Sequence, residues 1–253
     1  MLKTEFKVFH IFLKKNFLID HLKGFVDIHN HILPGIDDGA KTVEESMALI
    51  KEFELFGVTN FIATPHIMND YYPNTPKTIE NALTRLKSEL LRKGQKHIAL
   101  AAAAEHMIDG SFEKLLQEGK TMPLPSNYLL VEMSYLQPAI NFKSAIVKCA
   151  QAGYFTILAH PERYVYLHQT PQVFAAYKDL GIKFQLNLLS LGNYYGRSVS
   201  RTAYDLLEKD AYEFLGTDVH SLRHIKALKE IQISTKSLQK ILPLINRNID
   251  NFY

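Results

Sequence analysis

Two histidines two positions apart follow a short apolar stretch early in the chain. Residues 26–31 read V-D-I-H-N-H, which places His29 and His31 at the end of a segment with the composition of a buried strand. Side chains alternate between the two faces of a strand, so both imidazoles point to the same side if the segment is extended. Two imidazoles on one side can share a metal ion, and they can equally be ordinary polar residues at a strand end. This pair alone leaves both interpretations open.

Further polar residues follow other apolar segments of the same kind. They come at or shortly after the ends of predicted strands, and they are Asp37, Asp38, His66, Glu105, His160, Arg163, Asp218 and His220. In a parallel barrel the carboxyl ends of all strands lie on one face, where the active sites of such barrels are built. We therefore expect side chains that are far apart in the sequence to converge on one site.

The chemical types in this set agree with one another. Neutral imidazole and carboxylate groups are ligands of Zn²⁺, Mn²⁺ and Fe²⁺, and the set contains no thiolate. It holds more donors than one ion takes, so Glu105 or an aspartate can bridge two ions. Neighbouring metal ions activate a water molecule and neutralise the oxygens of a phosphoryl group in transfer. The planar fork of Arg163 is suited to hold a phosphate.

Each residue also has an ordinary structural interpretation. A lone histidine near a strand end, such as His66 or His160, is more often a hydrogen-bonded structural residue than a ligand. Asp37 and Asp38 can simply form a turn, because Asp and Gly dominate there. However, five of the eleven histidines directly follow predicted strands. This joint occurrence favours a shared metal site over chance placement.

Seven short, mostly apolar segments are predicted as buried strands that position these residues. They are residues 25–28, 60–64, 97–104, 128–133, 155–159, 183–187 and 212–216. Amphipathic segments lie between most of them, and several end in glycine, which is typical of helix C-termini. One helical pattern covers residues 225–244. Strand–helix alternation without a break in composition predicts an α/β fold in which a parallel sheet or barrel forms a single domain.

Length and composition limit the classes of protein to which the chain can belong. It has 253 residues, of which 47% are hydrophobic and 22% charged, and this suits one large α/β domain. The net charge of +3 and the lack of a basic stripe argue against nucleic-acid binding. The single cysteine, Cys149, excludes an internal disulfide and fits a reducing compartment, so we expect a cytoplasmic protein.

The first 23 residues form a predicted extension in front of a domain that spans residues 24–253. The extension is basic and apolar, as signal peptides are, but lysines interrupt every apolar stretch and no small-residue cleavage site follows. No run is long enough to span a bilayer, so we expect no stable membrane insertion. We interpret the segment as a short helical extension that packs on the domain.

The motifs taken together resemble those of the polymerase and histidinol phosphatase (PHP) superfamily. They are D-I-H-N-H-I-L-P-G-I-D-D-G, T-P-H, the glutamate after the third strand, A-H-P-E-R-Y and G-T-D-V-H. Within this superfamily the chain is most similar to the bacterial manganese-dependent protein-tyrosine phosphatases of the CpsB and YwqE type, which are associated with capsule and exopolysaccharide synthesis. The run D-D-G-A-K-T-V-E-E-S carries the similarity to that branch.

The resemblance implies a distorted (β/α)₇ barrel, similar to a TIM barrel, with a trinuclear metal site. His29, His31, Glu105 and Asp218 match the ligands of one ion. His66 and His160 match ligands of a second ion, with Glu105 bridging, and Asp38 and His220 match ligands of the third. The implied ion is Mn²⁺, and Fe, Zn and Mg are alternatives because this donor set accepts several divalent ions.

The resemblance also implies a reaction and a substrate. Water activated by the ions attacks the phosphorus of phosphotyrosine in line, while Arg163 holds the phosphate. His220 is the candidate proton donor to the leaving phenolate. Arg223 corresponds to a further arginine that the family carries past the D-x-H motif, although here it comes somewhat earlier. The implied partner is an autophosphorylated bacterial tyrosine kinase that controls polysaccharide synthesis.

Three alternatives remain open at this point. The chain can be another PHP phosphoesterase, acting on histidinol phosphate or a nucleotide. It can be a non-catalytic metal-binding scaffold, although that predicts lost ligands and every expected ligand type is present. Nucleic-acid binding is the third alternative, and it requires a basic stripe that the sequence lacks.

Overall fold

The computed structural model describes residues 16–253. Residues 1–15 of the predicted extension lie outside the described residues. Its remainder forms a two-residue strand and a 3₁₀ turn at Leu18–His21, in place of the predicted helix. Leu18 and Leu22 are fully buried in the main core. Residues 16–23 therefore pack on the domain, while the boundary at residue 24 stays a prediction.

Eleven strands are found in residues 16–253. In chain order they are β1 (Asn16–Phe17), β2 (Val26–Asp27), β3 (Asn60–Ala63), β4 (His66–Ile67), β5 (Ala99–Ala102), β6 (Glu105–Met107), β7 (Tyr128–Glu132), β8 (Phe155–Ala159), β9 (Lys183–Asn187), β10 (Phe214–Gly216) and β11 (Gln232–Ile233). All seven predicted segments contain a strand. β4 and β6 are additional and follow β3 and β5 after breaks of two residues, so His66 and Glu105 begin strands rather than follow them.

Eight α-helices occur in the same part of the chain. They are α1 (Val43–Glu54), α2 (Pro76–Arg92), α3 (Phe112–Gln117), α4 (Phe142–Gln151), α5 (Gln172–Asp179), α6 (Arg197–Glu208), α7 (Leu222–Lys229) and α8 (Thr235–Phe252). The hydroxyl of Thr42 accepts a hydrogen bond from the amide of Glu45 and thereby caps α1. None of these helices has the length and apolar character that crossing a membrane requires.

The single helix predicted over residues 225–244 is wrong. α7 ends at Lys229, and β11 intervenes before α8 begins. β11 pairs antiparallel with β1, so Ile233 lies opposite Asn16. This pairing joins residues that are more than 200 positions apart, and it interrupts a helical pattern that is continuous in the local sequence.

The remaining strands form two parallel sheets. One has six strands in the order β10-β9-β8-β7-β6-β4, and the other has three in the order β2-β3-β5. The sheets are continuous along the chain where β3 leads into β4 and β5 into β6. They also meet where Asn30 and Val219 form a parallel bridge and the amide of Asp218 donates to the carbonyl of His29 over 2.7 Å. The protein is thus a mixed α/β single domain with a curled parallel sheet.

Most strands of the two parallel sheets bury both faces, which explains why they read as continuous apolar runs; β5 is the exception, with Ala99 and Ala101 exposed. In β7, Leu129 and Val131 belong to the main core beneath the helices, whereas Leu130 belongs to a smaller core enclosed by the sheet. In β8, Leu158 belongs to the main core and Ile157 to the smaller one. This alternation with period two fills the inside of the curl with side chains and leaves its carboxyl edge for polar residues.

Candidate metal centre

The predicted metal ligands lie together at the carboxyl edge of the parallel strands. Each comes from an element of the sheet or the loop after it: His29 and His31 after β2, Asp38 in the loop before α1, His66 in β4, Glu105 in β6, His160 after β8, and Asp218 and His220 after β10. Every one of them has a nitrogen or oxygen atom in close contact with another member. The structure therefore brings together all eight residues that the sequence singles out as ligands.

Glu105 lies at the centre of the cluster and is fully buried. Its Oε1 lies 3.2 Å from Nε2 of His29 and 3.1 Å from Nε2 of His160, and its Oε2 lies 3.0 Å from Nδ1 of His66. Burial opposes ionisation, but the surrounding imidazoles, His29 foremost, hold the pKa of Glu105 well below its ordinary value. An ionised carboxylate with imidazoles on both oxygens has the geometry to bridge two cations.

Asp218, in the loop after β10, forms a second centre of contacts. Its Oδ1 lies 3.2 Å from Nε2 of His31 and 3.4 Å from Nε2 of His29. Its Oδ2 accepts a hydrogen bond from Nδ2 of Asn187 over 2.8 Å and another from Arg163. Although burial opposes ionisation, His29 and Arg163 keep the pKa of Asp218 well below its ordinary value.

Asp38 and His220 complete the cluster on its open side. Oδ1 of Asp38 lies 3.4 Å from Nε2 of His66 and 3.3 Å from Nε2 of His220. The ring of His220 stacks on that of His31, with 3.9 Å between the centroids. The side chain of Asp38 is 49% exposed, so this end of the cluster faces solvent, as a catalytic metal site with an open position requires.

Several buried polar atoms of the cluster lack a hydrogen-bond partner within residues 16–253. They are Nε2 of His29, Nε2 of His31, Nδ1 of His66, Oε2 of Glu105, Oε1 of Glu132 and Nδ1 of His160. Unpaired buried polar atoms are costly, and native proteins seldom keep several in one place. Nitrogen and oxygen lone pairs that converge without an intervening proton fit divalent cations. The residues present therefore fit the metal group that the sequence predicts.

Four groups of donor atoms are compact enough to hold an ion, with all atoms of a group within 4.8 Å of one another. The groups are His31, Asp38, His66 and His220; His29, Glu105 and His160; His29, His31 and Asp218; and His66, Glu105 and Glu132. No group among the described residues contains both His66 and His160, which the resemblance assigns to the same ion. The division of ligands between ions thus stays a prediction.

The first two histidines are oriented by partners outside the cluster. Nδ1 of His29 donates a hydrogen bond to Oε1 of Gln185 over 2.7 Å, and Nδ1 of His31 donates to Oδ2 of Asp37 over 2.8 Å. Asp37 is fixed in turn by the amide of Gly39, which donates to its Oδ1 over 2.9 Å. With Nδ1 protonated, each Nε2 faces the cluster with a free lone pair. Asp37 therefore orients a ligand rather than serving as one.

Two glycines allow neighbouring loops to approach the histidine segment. A Cβ atom at Gly216 would lie 2.5 Å from Cβ of His29, and one at Gly39 would lie 2.0 Å from the carbonyl oxygen of His31. Both distances are shorter than non-bonded atoms allow, so any side chain at these positions would displace the ligand segment. This explains the glycines in the D-D-G and F-L-G runs.

Two candidate ligands adopt a backbone conformation that is uncommon for residues with side chains. His160 has φ 34° and Asp218 has φ 52°, both in the left-handed region. Their amides donate hydrogen bonds to the carbonyls of Gln185 and His29, which hold the strained turns in place. Such strain concentrates at functional sites, because there the surrounding structure determines where the side chain points.

A cleft of about 930 Å³ opens above the cluster. Its floor includes Arg163 together with Asp38, His66, Glu132, Asp218 and His220. Large exposed apolar side chains stand around it, namely Tyr71, Leu136 and Ile140. A concave space with a polar floor and apolar walls is typical of a site that binds an organic substrate.

Glu162 anchors the short turn that carries Arg163. Its Oε1 accepts hydrogen bonds from the amide of Asn187 over 3.0 Å and the hydroxyl of Ser190 over 2.8 Å, and its Oε2 accepts from the hydroxyl of Tyr212 over 3.1 Å. Burial raises the pKa of Glu162 to about 7, although these donors favour the charged form. The carboxyl group thereby joins the loops after β8 and β9.

Arg223 is not drawn into the cluster. It is exposed, and its guanidinium carbon lies 5.8 Å from the ring centre of Tyr194. No hydrogen bond or ion pair joins it to the cluster within the described part of the chain, so its catalytic assignment stays a prediction. His106, adjacent to Glu105, points away: its Nδ1 donates to the carbonyl of Leu130, and burial lowers its pKa to about 4.

Glu132 is the main residue that sequence reasoning missed. It ends β7, and its Oε1 lies 2.9 Å from Nδ1 of His66. The sequence predicts residues 128–133 only as a strand, yet the glutamate in this run occupies the same strand-end position as the other candidate ligands. Glu132 lies two positions beyond Leu130, the partner of Glu105 in the adjacent strand, so alternation along the strand turns Glu105 and Glu132 to the same face.

The fold and the site together define a class of protein: single-domain α/β proteins whose curled parallel sheet carries a histidine- and carboxylate-rich candidate metal centre at its carboxyl edge. Within this class, the chain belongs to the CpsB/CapC family of capsular polysaccharide synthesis, whose model matches residues 25–240. The resemblance inferred from the motifs is thereby confirmed.

Curated relatives and solved structures agree with this assignment. The tyrosine-protein phosphatase YwqE of Bacillus subtilis is 26% identical over 199 residues, and the tyrosine-protein phosphatase CpsB of Streptococcus pneumoniae is 27% identical over 206 residues. Each match covers 78% of this chain, and 78% and 83% of the relative, respectively.

Solved structures support the fold. A crystal structure from work on YwqE and CpsB, described as unique metal-dependent tyrosine phosphatases, superposes with a TM-score of 0.77 at 24% identity, over 90% of this chain and 95% of that one. The phosphotriesterase homology protein of Escherichia coli, with phosphate in its active site, has a TM-score of 0.52 at 11% identity, over 90% of this chain and 98% of that one.

Proposed function

We propose that this chain is a metal-dependent protein-tyrosine phosphatase, a phosphoric monoester hydrolase that acts on phosphotyrosine. The observation that carries the proposal is the group of buried imidazole and carboxylate atoms that have no hydrogen-bond partner among residues 16–253, next to Arg163 on the floor of an open cleft. The choice of substrate is supported by the relatives, which are tyrosine-protein phosphatases by name.

The centre is proposed to hold two or three divalent ions, Mn²⁺ foremost, with Fe, Zn and Mg as alternatives. The residues that would hold them are His29, His31, Asp38, His66, Glu105, His160, Asp218 and His220, with Glu132 as an additional candidate. When bound, such ions lower the pKa of a water molecule and withdraw charge from phosphoryl oxygens.

The side chains around the cluster would bind and orient the substrate. Arg163 lines the cleft beside Asp218, where its guanidinium can pair with the non-bridging oxygens of the phosphate. The apolar walls would exclude water around the aromatic ring of the substrate. Arg223 would contribute a second cation only if its exposed side chain turned toward the cleft.

His220 has two proposed roles that use the same atom. Its Nδ1 donates to the carbonyl of Asp218 over 2.9 Å, which leaves Nε2 facing Asp38 and the cleft. Nε2 can either bind an ion or deliver a proton to the leaving phenolate, but not both at once. Metal analysis of His220→Ala separates the roles: loss of an ion assigns it as a ligand, whereas full metal content with slow hydrolysis assigns it as the proton donor.

We further propose that the two parallel sheets together form a distorted (β/α)₇ barrel. β3 with β4, and β5 with β6, would then act as two bent strands, which leaves seven positions around the ring. The bridge between Asn30 and Val219, next to the hydrogen bond from Asp218 to His29, supports closure between the first and last of them.

The natural substrate is proposed to be an autophosphorylated bacterial tyrosine kinase of capsule or exopolysaccharide synthesis, encountered in the cytoplasm. The family to which the chain belongs is described by capsular polysaccharide synthesis, which supports this partner. The partner is testable by incubating the phosphorylated kinase with the purified chain and following its phosphotyrosine content.

The central experiment measures phosphate release from a phosphotyrosine peptide by the purified full chain. We expect exhaustive chelation to abolish the activity and Mn²⁺ to restore it. His160→Ala and Asp218→Ala should abolish hydrolysis while the protein stays folded by circular dichroism. His97→Ala is the matched control, because His97 is exposed and pairs with Glu54 outside the site. Activity that survives chelation, or full activity in His160→Ala, would contradict the proposal.

Histidinol phosphate and nucleoside monophosphates, assayed in parallel, separate the remaining alternatives. A clear preference for one of them over phosphotyrosine would assign the chain to another PHP phosphoesterase. Stoichiometric metal uptake without hydrolysis of any of these esters would identify a metal-binding scaffold instead.

A further inference from the structure

The guanidinium group of Arg163 lies between two tyrosine rings from different loops. Its central carbon lies 4.1 Å from the ring centre of Tyr195, in the loop after β9, and 4.6 Å from that of Tyr135, in the loop after β7. Both distances are well within the range of favourable cation–π contact. The guanidinium carbon thus lies over both rings, which restricts the directions in which the group can turn.

The edges of this group are also constrained. One edge contacts Oδ2 of Asp218, which additionally accepts from Nδ2 of Asn187 over 2.8 Å. The same Nδ2 donates to the hydroxyl of Tyr195 over 3.3 Å, so this tyrosine is held at its hydroxyl as well as along its ring. Arg163 also lines the cleft with 17% of its side chain exposed, which leaves its outer edge available to a ligand there.

We propose that Tyr195 is a positioning residue for the phosphate-binding edge of Arg163, an inference that rests on the proposed function. Arginine has considerable side-chain freedom, and strong attraction draws it toward the two carboxylates nearby, Asp218 and Glu105. Without the ring, both edges of the guanidinium are free to turn toward those carboxylates. With the ring in place, one edge stays on Asp218 and the other stays in the cleft.

Tyr195 is a cleaner subject than Tyr135 for testing this role. The hydroxyl of Tyr135 lies 3.2 Å from Nε2 of His160, so replacing it disturbs a candidate metal ligand directly. Tyr195 contacts Arg163 and Asn187, and its ring packs edge-on against Tyr194. None of its hydrogen bonds within residues 16–253 goes to a candidate metal ligand. Tyr195→Phe removes the contact with Asn187 and keeps the ring, whereas Tyr195→Leu removes both.

The ring contact predicts a specific pattern of binding. We expect Tyr195→Leu to weaken binding of orthophosphate to the Mn²⁺-loaded protein, and to raise KM for the phosphotyrosine peptide, by about tenfold, as expected for loss of a partly desolvated cation–π contact. Tyr195→Phe should stay within about twofold of the wild type, because the ring remains. Metal content should be unchanged in both variants.

A double-substitution cycle with Arg163→Met distinguishes positioning from a general structural effect. If Tyr195 acts through Arg163, Tyr195→Leu changes orthophosphate binding in the wild type but causes no further change in the Arg163→Met background. Tyr177→Leu is the matched control, because Tyr177 is a buried tyrosine that packs on Phe142 outside the cleft. Tyr195→Gln replaces the leucine variant if the latter does not fold.

Titration calorimetry with orthophosphate, alongside peptide hydrolysis, gives outcomes that can be told apart. Equal losses from Tyr195→Leu in both backgrounds, a loss in Tyr195→Phe as large as in Tyr195→Leu, or no orthophosphate binding by the wild type would overturn the inference. A wild type that binds orthophosphate with the expected pattern but hydrolyses no phosphotyrosine supports the positioning role and rejects the phosphatase proposal.

Discussion

The stability of the Glu162→Gln variant relative to the wild type should increase from acid to alkaline pH. The carboxyl group is fully buried, and its pKa is raised from 4.5 to about 7. The three groups that donate to it, from Asn187, Ser190 and Tyr212, remain usable by an amide. The amide oxygen accepts from the first two, and the amide nitrogen donates to the tyrosine hydroxyl.

The sign and magnitude follow from proton linkage. Between pH 4.5 and about 7 the folded state keeps a proton on Glu162 that the unfolded state has released, so the stability of the wild type falls as pH rises. The interval of about 2.5 pH units corresponds to about 3.4 kcal/mol, at about 1.4 kcal/mol per unit. About 2.5 kcal/mol of this falls between pH 5 and pH 8. Glutamine does not ionise, so its variant loses this dependence.

Urea unfolding of both proteins in saturating Mn²⁺ at pH 5 and pH 8 measures the effect. The free energy of unfolding of Glu162→Gln minus that of the wild type should increase by about 2.5 kcal/mol from pH 5 to pH 8. Glu80→Gln, at an exposed position on α2, serves as the control and should show no such change. A difference that is independent of pH would refute the account of Glu162 as a buried group that is forced to ionise.

Three further predictions follow from the site and the core. Glu105→Gln should release at least one equivalent of bound metal, measured by mass spectrometry of the purified protein, and lower kcat/KM at least about a hundredfold, because the carboxylate faces several imidazoles. Gly216→Ala should lower both activity and thermal stability, since its Cβ would lie 2.5 Å from Cβ of His29; unchanged kinetics would contradict this. Tyr164→Phe should cost about 1–2 kcal/mol in urea unfolding and leave hydrolysis unchanged, because it removes the hydroxyl that accepts from the amide of Met133 but keeps the ring that packs on His160.

The main elements of the fold are predictable from local patterns, and the exceptions are non-local. All seven predicted strands exist, and six of them are short runs that are mostly buried on both faces, whereas β5 exposes Ala99 and Ala101. The strand β11 is two residues long, and its existence depends on pairing with β1 at the other end of the chain. The local signal for the break is Ser234, whose hydroxyl caps the start of α8, and the prediction of one continuous helix overlooks it.

The candidate site is predictable where a polar residue stands at the end of an apolar strand. His160 and Asp218 could be singled out because a polar residue interrupts an apolar run at a strand end. Glu132 also stands at a strand end, but apolar residues flank it on both sides, so the sequence does not set it apart. The tyrosines around Arg163 are scattered in loops, and only the folded chain brings Tyr195 over the guanidinium.

The hydrogen bonds between Asp27 and Thr217 have a consequence for biosynthesis. The amide and the hydroxyl of Thr217 donate to the carboxylate of Asp27 over 3.0 and 2.6 Å, although 190 positions separate the two residues. During synthesis on the ribosome, the segment with His29 emerges early, whereas β10, next to which it lies in the fold, emerges only when the chain is nearly complete. A divalent ion would therefore meet the complete set of candidate ligands only after Asp218 has left the exit tunnel, which couples formation of the full site to completion of the chain.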